Sequence, residues 1–167
     1  MAQQNSFDVT TGADLQEVDN AVNQAHKEIA TRFDFKGSPV QLTLDKGKNL
    51  LTLEAENEFK LKAAYDVLQT RLVRRGVPLK NLKPGKEQPA SGGRLRQEIT
   101  LTQGIPTDTA REMVKAIKAH GFKKVQVAIQ GDELRISSPS KDELQAVQTF
   151  LRGEDYGIEL KFGNYRA

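Results

Sequence analysis

Residues 32–37, Arg-Phe-Asp-Phe-Lys-Gly, carry the densest set of binding groups in the chain, with two cations, one acid and two aromatic rings. The cations Arg32 and Lys36 can neutralise phosphate, and the Arg32 guanidinium can bind it through two parallel hydrogen bonds. One ring can stack on a base, and the Asp34 carboxylate can accept hydrogen bonds from the donor edge of guanine. The set therefore predicts a site for a guanine nucleotide.

The same residues also fit a purely structural role. Phe33 and Phe35 can pack into the core, because burying an aromatic side chain is strongly favourable. Arg32 and Asp34 can then form a local salt bridge without any ligand. The residue types alone do not choose between the two interpretations.

The C-terminal residues Asn164, Tyr165 and Arg166 form a second candidate. An aromatic ring and a guanidinium after the last predicted strand need a docking partner if they are to be ordered. The nucleotide-binding hypothesis therefore includes Tyr165 and Arg166. The alternative is a frayed tail.

A basic segment between residues 71 and 96 predicts a polyanionic partner. It holds eight Lys and Arg residues against one acid, Glu87, whereas the whole chain carries a net charge of only +3. Five of the eight form the predicted nucleic-acid patch: Arg71, Arg74, Arg75, Lys80 and Lys83. Such a patch would bind RNA or DNA through its phosphates. The alternative is a linker kept in solution by its charges.

The sequence argues against an enzyme. It contains no cysteine, which excludes thiolate nucleophiles, thiolate zinc sites and iron–sulfur clusters. The two histidines, His26 and His120, occupy helical positions typical of structural roles. Neither glycine-rich phosphate-binding motif is present, and no carboxylate pair is suited to acid–base chemistry. We therefore expect no catalytic residue, no metal and no cofactor.

The composition predicts a globular protein of the cytoplasm. Hydrophobic residues make up 37% of the chain and charged residues of both signs 28%, which is adequate for a packed core. No apolar run is long enough for a membrane span or for the core of a signal peptide. We therefore expect no membrane partner, and the missing cysteines suit a reducing compartment.

Hydrophobic periodicity divides the chain into two similar halves, each with the order βαββαβ. In the first half the strand, helix, hairpin, helix and strand are predicted at residues 6–10, 14–33, 40–53, 61–76 and 77–82. In the second half the same elements are predicted at residues 95–101, 106–121, 125–136, 140–153 and 158–162. This order is typical of the ferredoxin-like α+β class, an antiparallel sheet with two helices on one face.

Residues 83–93 separate the halves, since they contain two prolines, three glycines and almost nothing to bury. The sequence therefore predicts domains at residues 1–82 and 94–167, joined by a linker at 83–93. The third strand of each half lacks the aromatic residues with which RNA-recognition motifs stack bases.

Several short motifs occur together: Ser6-Phe7-Asp8-Val9, Asp14-Leu15-Gln16-Glu17-Val18, residues 32–37, Arg74-Arg75-Gly76, Gln103-Gly104-Ile105, Ile129-Gln130-Gly131-Asp132, residues 142–147 and Asn164-Tyr165-Arg166. In this combination the chain resembles the YajQ family of nucleotide-binding proteins, some of which bind cyclic di-GMP. The resemblance implies two ferredoxin-like domains that exchange their N-terminal strands, so that Phe7-Asp8-Val9 would complete the sheet of the second half.

Three functional hypotheses follow. The leading one is a non-enzymatic nucleotide-binding protein, a sensor or effector in bacterial signalling, with cyclic di-GMP, GTP or ATP as the ligand that the resemblance implies. The second is an RNA-binding, translation-associated module that uses the basic segment 71–96. The third is a ligand-free scaffold that presents its sheets to a protein partner.

Overall fold

A computed structural model describes residues 4–167, which form four α-helices and nine strands. The helices are α1 (Leu15–Thr31), α2 (Glu58–Arg74), α3 (Thr107–His120) and α4 (Lys141–Arg152). The strands are β1 (Asn5–Thr10), β2 (Gln41–Asp45), β3 (Leu50–Ala55), β4 (Leu82–Pro84), β5 (Gln88–Pro89), β6 (Leu95–Leu101), β7 (Gln126–Gln130), β8 (Glu133–Ser138) and β9 (Lys161–Arg166). Within residues 4–167 no helix is both long and apolar enough to cross a membrane.

The strands form two antiparallel sheets. One has the order β7-β8-β1-β9, and the other has the order β2-β3-β6-β4 with β5 also paired to β6. The predicted α+β class with antiparallel sheets is therefore confirmed.

The first strand of each predicted half lies in the other sheet. Strand β1 pairs with β8 and β9, with Phe7 opposite Ile136. Strand β6 pairs with β3 and β4, with Ile99 opposite Leu51. The side chains of Phe7 and Ile99 are both fully buried, so each strand adds apolar surface to the core beneath its sheet.

The chain forms two compact units. Unit 1 comprises Gly104–Ala167 and the described part of Met1–Thr11, and unit 2 comprises Gly12–Gln103. This division differs from the predicted domains 1–82 and 94–167, because the periodicity of a strand shows that it is half-buried but not which strand it pairs with.

The predicted linker 83–93 is held on the edge of the unit 2 sheet. In β5, Gln88 lies opposite Arg96 of β6. The Gly85 amide donates a hydrogen bond of 2.8 Å to the Glu98 carbonyl. Backbone pairing therefore orders a segment that buries almost no side chain.

Several element boundaries also differ from the prediction. Helix α1 ends at Thr31, before a 3-10 turn at Phe33–Phe35. Residues 77–82 supply only the first residue of β4, because Leu79–Asn81 form another 3-10 turn. Strand β9 begins at Lys161 rather than at residue 158, so the apolar alternation around Ile158 starts before the strand does.

Each unit has its own core. In unit 2, α1 and α2 pack against the sheet over fully buried side chains that include Leu53 and Leu68. In unit 1, Phe7, Met113 and Leu151 are fully buried and bring β1, α3 and α4 into one cluster.

Candidate functional site

The Arg32 guanidinium is paired with acids of its own chain. It follows the last residue of α1, and its Nε and Nη2 donate to Asp34 Oδ1 and Oδ2 at 2.9 and 2.7 Å. Its Nη1 lies 3.5 Å from Glu28 Oε2, one helical turn back. The guanidinium nitrogens that could bind a phosphate therefore bind the Asp34 carboxylate in this structure.

This pairing favours the charged form of both groups. Hydrogen bonds from Arg32 lower the pKa of the Asp34 carboxyl, and the carboxylate in turn raises the pKa of Arg32. Sequence reasoning missed Lys60, in the first turn of α2, whose ammonium donates to the backbone carbonyl of Asp34. No local motif could have revealed this contact, because the two residues lie on elements that meet only in the folded unit.

The two rings of the segment have opposite environments. Phe35 is 4% exposed and packs in the unit 2 core, with the Arg32 guanidinium 5.4 Å from its ring centroid. Phe33 is 87% exposed. Phe35 therefore has a structural role, whereas the Phe33 ring presents an open face on which a planar group can stack.

A groove of about 560 Å³ runs beside this segment, between the end of α1 and the start of β2. Arg32, Phe33 and Lys36 line it. No ion pair of Lys36 occurs in the described part of the chain. The groove thus combines the open Phe33 ring, the unpaired Lys36 ammonium and the paired Arg32 guanidinium. These groups suit a ligand with a flat ring and negative charge.

Both histidines make contacts that suit a structural role. His26 lines the same groove, but its Nε2 bonds the Leu42 carbonyl at 2.8 Å, which ties α1 to β2. The His120 ring stacks on Phe122 with 4.1 Å between centroids. Among residues 4–167 there is no cluster of three or more His, Cys, Asp or Glu side chains that could hold a metal ion.

The predicted nucleic-acid patch is only partly available to a ligand. Arg71 donates two hydrogen bonds to Glu28 Oε1, at 3.0 and 2.7 Å, and Arg75 lies 3.5 Å from Glu17 Oε2. These two guanidinium groups therefore join α2 to α1. Exposed positions in the patch are Arg74, Lys80 and Lys83.

The two C-terminal candidates belong to unit 1, whereas residues 32–36 belong to unit 2. Tyr165 and Arg166 lie in β9, so they are not a frayed tail. The Tyr165 ring contacts Phe7 at 6.2 Å between centroids, and its hydroxyl accepts a hydrogen bond of 3.3 Å from Gln148.

These features define a two-unit α+β protein with a groove that is lined by cations and an exposed aromatic ring. A family model described as nucleotide-binding protein YajQ-like matches residues 5–166, and the chain belongs to this family. The family is described by nucleotide binding, and its description names no catalytic activity.

Relatives named nucleotide-binding protein cover almost the whole chain. One from Koribacter versatilis is 47% identical over 98% of both chains. One from Desulforamulus reducens is 45% identical over 100% of this chain and 99% of its own. One from Desulfitobacterium hafniense is 47% identical over 99% of this chain and 100% of its own.

Proposed function

We propose that this chain is a non-enzymatic nucleotide-binding protein whose ligand occupies the groove beside residues 32–36. The observation that carries the proposal is the Phe33 ring, which is 87% exposed beside two cations. An exposed phenylalanine costs hydrophobic stabilisation, and that cost is offset when a base stacks on the ring. The names of the family and of its relatives support the same ligand class.

The binding mode assigns one task to each side chain. Phe33 stacks on the base and Lys36 contacts phosphate. Arg32 exchanges its carboxylate partner for a phosphate oxygen, which is feasible because exposed ion pairs contribute little net stability. The released Asp34 carboxylate is then an acceptor for the donor edge of guanine.

Cyclic di-GMP is the specific ligand that we propose. It carries two guanines and two phosphates, which match the two cations that line the groove and the Asp34 carboxylate that adjoins it in sequence. A volume of about 560 Å³ lies in the usual range for small-molecule sites. The corresponding role is that of a cytoplasmic sensor or effector in signalling, with GTP and ATP as competing ligands.

Calorimetry of the protein stripped of nucleic acid tests this proposal, with cyclic di-GMP, GTP, ATP and a short RNA as ligands. We expect saturable binding of cyclic di-GMP that weakens about tenfold in Phe33→Ala, since base stacking contributes roughly 1–3 kcal/mol. Lys36→Gln should also weaken the binding of cyclic di-GMP. Phe59→Ala and Lys46→Gln are matched controls, because both residues are exposed in unit 2 and lie outside the groove.

Equal affinities of Phe33→Ala, Lys36→Gln and the unaltered protein would contradict the proposal. RNA binding through the basic segment is favoured by the exposure of Arg74, Lys80 and Lys83. That alternative predicts affinity for RNA alone, with a logarithmic salt slope of about −0.7 per phosphate neutralised. If none of the four ligands bound, the scaffold hypothesis would be favoured.

A further inference from the structure

A second cleft lies in unit 1, between α4 and the paired ends of β1 and β9. Its volume is about 440 Å³. One wall is a single face of α4, because residues spaced by three, four and seven positions line up along a helix. The α4 residues that line it are Lys141, Leu144, Gln145 and Gln148.

The floor and one side of this cleft are formed by apolar side chains of the unit 1 core. Phe7 is fully buried and Leu144 is 7% exposed, so both form part of the unit 1 core. The Tyr165 ring rests against Phe7 and its hydroxyl is bonded to Gln148, yet the residue is 64% exposed. The cleft therefore offers an aromatic ring that is held in place while much of its surface stays open.

The polar groups of the cleft favour an anion. Lys141 and Arg166 are both lining residues, and no aspartate or glutamate side chain lines it. Neither cation forms an ion pair within residues 4–167, although Arg166, opposite Ser6, helps to lower the pKa of the Asp8 carboxyl through its charge. The Asn5 side-chain nitrogen donates to the Ser138 and Pro139 carbonyls, so Asn5 offers its amide oxygen as an acceptor, while Gln145 adds an amide donor and acceptor. An anionic ligand with a flat, hydrogen-bonding ring would complement all of these groups.

We infer that this cleft is a separate binding site for a nucleoside monophosphate. The base stacks on Tyr165, the amides of Asn5 and Gln145 contact its edge, and the phosphate lies between Lys141 and Arg166. The site does not depend on the groove proposed above, since every residue that lines it belongs to unit 1.

An NMR amide titration of the full chain with GMP tests the inference, with guanosine and inorganic phosphate as comparators. We expect saturable shifts of Tyr165, Arg166 and α4 amides with GMP. Guanosine should bind more weakly, because it lacks the phosphate contacts. Lys141→Gln and Arg166→Gln should each weaken GMP binding about tenfold, as expected for the loss of a charge-assisted hydrogen bond.

Two controls separate this site from the unit 2 groove. Lys161→Gln removes a charge from β9 outside the cleft and should leave the affinity for GMP unchanged. Phe33→Ala, which tests the groove, should also leave the shifts in unit 1 unchanged. GMP that fails to shift the unit 1 amides at millimolar concentration would overturn the inference. Equal GMP affinities of Lys141→Gln, Arg166→Gln and the unaltered protein would overturn it too.

Discussion

At the scale of single residues, the proposed ligand site depends on the Arg32–Asp34 ion pair. Both partners are partly exposed, with side-chain exposures of 39% and 41%. Water screens such a pair, so a phosphate can compete for the guanidinium at small cost. The pair is thus compatible with a structural role, in which the salt bridge persists. It is also compatible with a ligand-responsive role, in which a phosphate displaces Asp34 and the freed carboxylate accepts from guanine.

Asp34→Asn distinguishes these roles. We expect the preference for GTP over ATP to fall toward none, because an amide cannot replace the carboxylate that accepts from both donors of guanine. Affinity for pyrophosphate should rise, since Arg32 loses its competing partner. Calorimetry with the three ligands measures both effects, and Asp66→Asn on the exposed side of α2 is the control for charge. An unchanged GTP preference would assign Asp34 a structural role only.

The ionised Asp8 carboxylate should contribute to the free energy of unfolding in a way that depends on pH. Hydrogen bonds from Arg135 lower the pKa of this carboxyl below its usual value of 3.8, and a hydrogen bond from Asn164 adds to the effect. A carboxyl whose pKa is lowered by folding stabilises the protein above its unfolded pKa, and this contribution is lost as the pH falls through the folded pKa.

We therefore expect Asp8→Asn to lower the free energy of unfolding by roughly 1.5–3 kcal/mol at neutral pH, as for one hydrogen bond to a charged group. The difference from the unaltered protein should shrink once the pH falls below 3.8. Urea unfolding at neutral and acidic pH measures it. A difference that stayed constant with pH would show that the ionisation of Asp8 does not contribute.

At the scale of elements, β1 occupies an interior position in the unit 1 sheet, between β8 and β9. The resemblance implied exchanged N-terminal strands, and that exchange stays a prediction; the observed pairings are of β1 with β8 and of β6 with β3. An interior strand contributes two rows of backbone hydrogen bonds as well as its buried face. Loss of β1 should therefore affect unit 1 more than unit 2.

Phe7→Ala tests this assignment. Phe7 is fully buried, and truncating a buried phenylalanine costs about 3–5 kcal/mol. In this variant, native-state hydrogen exchange should accelerate more for the amides of β8 and β9 than for those of β3. Leu53→Ala, at a fully buried position in unit 2, should give the reverse pattern. Equal acceleration in both sheets after either change would contradict the assignment.

At the scale of the whole molecule, the two units are interleaved in the sequence. Unit 2 is one continuous segment, Gly12–Gln103, whereas unit 1 needs β1 from before it and Gly104–Ala167 from after it. A cut within residues 83–93 would remove β6 from the unit 2 sheet and leave β1 without β8 and β9.

We therefore expect a fragment of residues 12–103 to fold alone and a fragment of residues 1–82 to remain unfolded. The shorter fragment lacks β6, whose Ile99 and Leu101 are buried in the unit 2 core. Circular dichroism during heating should show a cooperative transition only for residues 12–103. A cooperative transition of residues 1–82 would mean that β6 is dispensable.

The local elements of this protein can be predicted from its sequence alone. Asp14 and Ser140 were predicted to start helices, and each side chain accepts a hydrogen bond from a backbone amide of the first turn. The α4 helix and the β7–β8 hairpin were predicted close to their observed positions. Such features depend on residues within one or two turns of each other, so that periodicity and capping residues reveal them.

Which strands pair and which rings are exposed depends on tertiary contacts. Backbone hydrogen-bonding groups are the same in every strand, so nothing within β1 or β6 specifies its partner. Phe33 and Phe35 are the same residue type two positions apart, but a 3-10 turn has three residues per turn and directs them to different sides. The candidate residues were thus identifiable from the sequence, whereas their grouping into a unit 2 groove and a unit 1 cleft depends on contacts between distant segments.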